Sequence, residues 1–466
     1  MFEDTLSIDL GASYTKVAYR RTAVPDRIGT MRTKAEVLMV DNRALIPSLA
    51  IRTRDAGRPW EFGRAAAQMR PSTEMQVFQN WKADLFGSRN DQDSATAVII
   101  AHRFFEWLGS KLESAGINLK KCQTRVAMPA FDTFDEKARL IARCMDLSGW
   151  NDPSLILKVR EPHANTIGLF SKGRNVVARN ADGLEPNYGE MFGQGNVYVQ
   201  AARGFALFDN HANLITVAVV DIGAFTTDLA ALTFDVTAPA DGLSAIHQES
   251  HAVGVINELV KPLFVALGGQ HGFSQFELSF EECEATKLEI YRDQPNWPIG
   301  LLTPSRGNIE LGDVKDRAMV ATHIAVFTAA VWEKVAAFVE KERPAKVFLT
   351  GGGSMIEPVA AKLGQALQGI GIPVGIVEGG NATTEIVQWR PWEQTGDGLQ
   401  RLATAVGGAS VILQHGSERI HHGDEIPMRR EPPVLRQTGS ITCRCQGGNK
   451  DCCFCNGRGE IVKPTR

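Results

Sequence analysis

The sequence lacks a strong charge of either sign. Its 50 Lys and Arg stand against 53 Asp and Glu, a formal net charge of −3. No global basic field is therefore expected to draw in nucleic acid or an anionic membrane. No apolar run approaches the length of a bilayer span, and no secretory leader precedes the first strand-like run at residue 6. The expected location is cytoplasmic, where thiols stay reduced. Cysteine is scarce as well: there are 8 in 466 residues. Cys122, Cys144 and Cys283 stand singly among apolar neighbours and read as small buried hydrophobes. The others crowd into the tail. What remains is an ordinary globular balance, 44% hydrophobic and 22% charged, in a chain long enough for two or three packed units.

Periodicity predicts an α/β fold with mixed sheets. Residues 5–21 alternate as a strand, a turn and a second strand. Residues 95–115 carry Phe104, Phe105, Leu108 and Leu112 at helical spacing, and Gly116 stops that helix. Thr133 and Glu136 have the spacing of a capping box. Apolar strands are expected near 126–128, 155–159, 217–221 and 346–350, and long helices over 318–341 and 355–367. Residues 171–215, rich in Gly and Asn, read as an insertion, and 416–440, with Pro427, Pro432 and Pro433, as a linker.

One pattern occurs twice. Asp9-Leu10-Gly11-Ala12-Ser13-Tyr14-Thr15-Lys16-Val17-Ala18 matches Asp221-Ile222-Gly223-Ala224-Phe225-Thr226-Thr227-Asp228-Leu229-Ala230 in its Asp, Gly, Ala, Thr and aliphatic positions. Each copy follows one strand and leads into another, so each is expected to be a hairpin. Small residues at a tight turn let backbone N–H groups approach an anion such as phosphate. Two such turns would bring Asp9 and Asp221 together. Two like charges about 6 Å apart at an effective dielectric near 20 repel by roughly 3 kcal/mol. A hydrated magnesium ion would remove that repulsion.

The two hairpins resemble the phosphate motifs of the actin, sugar-kinase and heat-shock-chaperone superfamily. The segment Val347-Phe348-Leu349-Thr350-Gly351-Gly352-Gly353-Ser354 resembles its adenosine motif. Four further segments follow, in order, the DnaK-type heat shock protein 70 branch: Trp81-Lys82-Ala83-Asp84-Leu85-Phe86-Gly87, Val126-Ala127-Met128-Pro129-Ala130, Arg160-Glu161-Pro162-His163-Ala164 and Cys283-Glu284-Ala285-Thr286-Lys287. The resemblance implies a two-lobed actin-like ATPase domain over 1–415, with lobe I at about 1–216 and lobe II at about 217–415. It also implies roles. Asp9 and Asp221 would hold magnesium through water. Gly11, Ala12, Ser13, Tyr14, Gly223, Ala224, Phe225 and Thr226 would surround the phosphates of ATP or ADP. Lys82, Glu161, Asp228 and Thr226 would serve hydrolysis. Glu284, Lys287, Gly351, Gly352, Gly353 and Ser354 would hold the adenosine. Ala12, Ala224, Phe225 and Leu288 depart from the chaperone pattern, and Phe225 is placed to crowd a phosphate. No β-sandwich pattern follows residue 415, so peptide holding by the chaperone route is not expected. A slow nucleotide switch acting on a protein partner or co-chaperone is the implied function. A filament-forming actin-like ATPase and a nucleotide sensor with little hydrolysis are the alternatives.

In the tail, Cys443 and Cys445 precede Cys452-Cys453-Phe454-Cys455-Asn456-Gly457-Arg458-Gly459, which resembles the zinc repeat of DnaJ-type co-chaperones. Cys443, Cys445, Cys452 and Cys455 are the expected zinc ligands, with Cys453 able to replace Cys452. Residues 441–466 hold too few apolar groups to fold by core burial, so zinc binding would drive their folding.

Overall fold

The computed structural model describes residues 4–21, 35–53, 60–72, 74–87, 91–150, 156–177, 214–235, 243–274, 277–291, 297–376 and 399–409, with short strands at 418–419, 441–442 and 460–461. The chain is mixed α/β, with several sheets and ten α-helices among the described residues. Its first part runs β1 (Asp4–Leu10), β2 (Tyr14–Arg21), β3 (Ala35–Leu38), β4 (Ile46–Pro47), β5 (Ala50–Thr53), β6 (Trp60–Phe62), α1 (Gly63–Gln68), β7 (Met75–Phe78), α2 (Trp81–Gly87), α3 (Asp91–Ser114), β8 (Cys122–Met128), α4 (Phe134–Leu147), β9 (Ile156–Arg160) and α5 (Glu161–Val177). The second runs β10 (Leu214–Ile222), β11 (Thr227–Asp235), β12 (Leu243–His251), α6 (Lys261–His271), α7 (Phe280–Ile290), β13 (Ile299–Thr303), β14 (Gly307–Leu311), α8 (Val314–Glu342), β15 (Lys346–Thr350), α9 (Glu357–Gly369), β16 (Val374–Ile376) and α10 (Leu399–Ala409). The strands β17 (Glu418–Arg419), β18 (Ile441–Thr442) and β19 (Glu460–Ile461) follow.

The two principal sheets are built alike. One reads β9-β8-β1-β2-β3 and the other β16-β15-β10-β11-β12. In each, an antiparallel hairpin is flanked by two parallel strands on one side and an antiparallel strand on the other. The register of the hairpins corresponds too: Asp9 lies opposite Lys16, and Asp221 opposite Asp228.

Burial follows strand alternation. Leu6, Ile8 and Leu10 of β1 enter a core with Phe104, Phe105, Leu108 and Leu112 of α3, as the helical spacing predicted. Val217 and Val219 of β10 face one way, into a core shared with α5 and α10. Ala218, Val220 and Ile222 face the other way, into a core with α6, α8 and α9. Helices α5 and α10 thus lie between the sheets. They cross at glycine, where a Cβ on Gly168 would sit 1.8 Å from the Ala403 carbonyl oxygen and one on Gly407 1.8 Å from that of Ala164. The C-terminal carbonyls of α10 receive arginine: Arg20 Nε donates to Ala409 (2.8 Å) and Arg125 Nη1 to Gly408 (2.9 Å). Cations there favour the helix dipole.

Several expectations need correction. The Thr133–Glu136 capping box does not form. Thr133 sits at φ −84°, ψ 13°, outside the extended region, and its hydroxyl caps nothing. Reciprocal boxes occur instead at Ser279–Glu282 and Asp313–Asp316. The insertion over 171–215 opens inside α5, which runs to Val177, and closes on β10, which begins at Leu214. The linker over 416–440 contains β17, which pairs with β9 at the edge of the first sheet. Helix α8 is long and apolar enough to cross a bilayer by length and composition. Its Val320, Ile324, Phe327, Val331, Val335 and Phe338 lie in the core beneath the second sheet, which accounts for that apolarity. Cys122 and Cys144 are buried as expected and Cys283 is half-buried. Burial raises these three thiols to about 11, 12 and 12.

The glycine crossing yields a stability prediction. A Gly407→Ala substitution forces a methyl group into the α5 backbone and is expected to cost about 3 kcal/mol, the upper part of the usual range for overpacking. A urea-unfolding midpoint unchanged from wild type would contradict the contact.

Candidate functional site

Both hairpin turns open onto one cavity between the two sheets. In the first, the Gly11 N–H donates to the Asp9 carbonyl (3.0 Å) and the Ser48 N–H to the Ser13 carbonyl (2.8 Å). A Cβ on Gly11 would lie 2.1 Å from the Tyr14 carbonyl oxygen, so only glycine closes this turn. In the second, the Gly223 N–H donates to the Thr226 carbonyl (2.8 Å). The Val255 and Ile256 N–H groups donate to the Gly223 and Ala224 carbonyls, fixing the turn from behind. The strand β15 ends beside β10 at Thr350 and leads into Gly351, whose φ is 84°. A Cβ there would lie 2.1 Å from Asp221 Oδ1.

Nearly every residue that the sequence singled out borders this cavity: Asp9, Gly11, Ala12, Ser13, Tyr14, Lys82, Glu161, Asp221, Gly223, Ala224, Phe225, Thr226, Asp228, Glu284, Lys287, Gly351, Gly352 and Gly353. Ser354 does not. Its hydroxyl turns inward and donates to the Gly351 carbonyl at 2.8 Å, bracing the glycine turn. The tail cysteines Cys443, Cys445, Cys452 and Cys455 lie outside the described residues, flanked by the paired strands β18 and β19.

The floor of the cavity is electrostatically unbalanced. Among the described residues, Asp9, Glu161, Asp221 and Asp228 face Lys16 and Lys82, while Lys287 and Arg401 line the cavity near Glu284. Lys82 forms a buried ion pair with Glu161, and Lys16 Nζ lies 2.9 Å from Asp9 Oδ2. Burial drives the Glu161 carboxyl upward, with Lys82 opposing and Asp228 and Asp9 reinforcing. Burial likewise raises Asp221 to about 7, opposed by Lys16 and reinforced by Asp9 and Glu161. Asp228 also reaches about 7, through burial and the Asp221 carboxylate. Asp228 is firmly held: the Thr226 hydroxyl donates to it at 2.7 Å and the Ser250 hydroxyl donates to its other oxygen. The Ala130 N–H, beyond β8, in turn donates to Ser250 Oγ at 2.7 Å. Among the described residues no three carboxylate, His or Cys side chains are grouped to hold a metal ion directly, so a divalent cation at these carboxylates would be held through its water shell.

The far end of the cavity differs in character. Tyr14 donates to Glu284 and stands against the edge of Phe280 (5.5 Å), while the Arg401 guanidinium lies 5.0 Å from its ring centroid. Burial, then Glu284, pushes the Tyr14 phenol far up. Glu284 also pairs with Lys287. Two exposed apolar side chains, Leu288 and Met355, border this end. Phe225 does not stand across the cavity. Its ring is 6% exposed and enters the core of the first sheet, against Phe131 and over Gly87.

Lys16, Ser250, Arg401 and Met355 join the site without having been singled out for it. Lys16 alone carried a signal: it occupies the same step of the repeat as Asp228.

No family model matches the chain, and no curated protein is significantly similar to it.

The raised carboxylates set a pH dependence. Near neutrality the folded chain holds protons at Asp221 and Asp228 that unfolded carboxylates have already released. Stability therefore falls as pH rises through the folded values. His163, lowered to about 4 by burial, acts oppositely, but only below its unfolded value of about 6.5. The thermal midpoint of the ligand-free protein is expected to drop from about pH 6.5 to 8. A flat or rising midpoint over that window would count against this arrangement.

Proposed function

We propose that the chain is a two-lobed, actin-like ATPase resembling the nucleotide-binding domain of DnaK-type chaperones, and that it works as a slow magnesium- and ATP-dependent switch. The observation that carries this reading is the pairing of two equivalent hairpins, from two sheets of the same strand order, around a single cavity with buried carboxylates and a Lys82–Glu161 pair at its floor. The turns at 11–13 and 223–226 suit phosphate groups, which peptide N–H groups and small side chains can approach closely. The end lined by Glu284, Lys287 and Gly351–Gly353 suits the adenosine.

Asp9 and Asp221 would hold magnesium through its water shell. Bound there, it would supply the positive charge that neutralises the phosphates and the buried carboxylates. Lys82 would place its ammonium on the transferred phosphoryl oxygens. Glu161 and Asp228 would orient the attacking water, and Asp228 is fixed for that task by Thr226 and Ser250. Phe225 borders the cavity and also packs in the first core. Switching would follow from the two sheets closing on nucleotide. A protein partner in the cytoplasm would read that closure.

In the tail, four cysteine thiolates would bind one zinc ion. The strands that flank the cysteine segment in sequence, β18 and β19, pair with each other.

Two measurements test these readings. Titration calorimetry should give saturable binding of ATP with magnesium. Lys82→Ala should retain that binding while lowering single-turnover hydrolysis by about a hundredfold or more. No heat from well-folded wild-type protein would defeat the proposal. Metal analysis should find one zinc per chain, lost on replacing the four cysteines by serine; equal zinc content in that variant would remove the zinc module.

A further inference from the structure

Asn165 stands one helical turn beyond Glu161 on α5, so both side chains leave the same face of the helix. It is 1% exposed. Its Nδ2 donates to Asp221 Oδ2 at 2.6 Å and to Thr404 Oγ1, on α10, at 3.1 Å. The other Asp221 oxygen lies against the bare Cα of Gly351, where no side chain fits. The Asp221 carboxylate is thus gripped on one oxygen and confined on the other.

The two hairpin aspartates are held by different chemistry. Asp9 is met by the ammonium of Lys16, which cancels its charge. Asp221 is met by a neutral amide, which fixes its direction without adding a positive charge. The amide comes at a cost, since Asn165 Oδ1 is buried without a partner. An orphaned buried acceptor destabilises a fold, so packing alone would favour an apolar residue here.

We infer that Asn165 is a positioning residue that aims the Asp221 carboxylate at a divalent cation accompanying the nucleotide. The inference rests on the nucleotide reading given above and adds a specific division of labour to it. Asp221 supplies the carboxylate oxygens, and Asn165 supplies their orientation without a positive charge of its own. Thr404 ties the same amide to α10, so the aim of Asp221 depends on how α5 and α10 lie against each other.

The experiment compares wild type with N165A by calorimetric titration of ADP, in EDTA and across a series of magnesium concentrations. Loss of a hydrogen bond to a charged group is expected to raise the magnesium concentration for half-maximal enhancement of ADP binding about tenfold. Affinity in EDTA should change less than about twofold, because Asn165 touches the carboxylate rather than the cavity. A residue with only a packing role would weaken both arms together. An unchanged magnesium dependence, or equal losses in both arms, would overturn the inference. Should N165A fail to fold, N165S is read in the same two arms with the same outcomes. Absence of any magnesium-dependent ADP binding by wild type would overturn the nucleotide reading itself, and this inference with it.

Discussion

Much of this molecule is arranged around negative charge held out of water. Asp9, Glu161, Asp221 and Asp228 converge where the two sheets meet, and two lysines do not balance them. Burying a charge without a partner is costly, and the fold meets that cost in three ways. It donates hydroxyls to Asp228, it places an amide on Asp221, and it lets burial raise the carboxylates toward neutrality. A bound divalent cation would answer the same need more completely. The ligand-free site is therefore tuned to favour whatever brings positive charge into the cavity.

That tuning depends on the glycine-lined crossing of α5 and α10. Glu161 and Asn165 come from the first of these helices and Arg401 and Thr404 from the second. Because Gly168 and Gly407 let the two backbones touch, these side chains start close to both sheets and need little reach. Arg20 and Arg125 fasten the end of α10 to the first sheet, so the crossing is anchored as well as close.

The hairpins and the glycine turn at Gly351 were legible in the sequence because tight turns with close backbone approach leave few residue choices. The α3 face was legible for a similar reason: Phe104, Phe105, Leu108 and Leu112 repeat at the period of the helix. Partners drawn from distant segments were not. Ser250, Asn165 and Arg401 are ordinary polar residues at ordinary strand and helix positions, and only tertiary packing sets them beside Asp228, Asp221 and Tyr14. Ser354 shows the opposite failure: it stands in a motif, yet its hydroxyl serves the turn's own backbone. Thr133 and Glu136 had the spacing of a cap, but spacing does not guarantee the extended backbone that a cap requires.

Phe225 ends the second hairpin with its ring lodged in the first sheet's core, so it acts as a bolt between the two halves. Drawing the halves apart would leave that ring in water, at a cost of about 2 kcal/mol. Such a cost would make each opening roughly thirtyfold rarer than with a small residue at the tip. The dwell time of a trapped ligand would then be governed by a side chain that need not touch it.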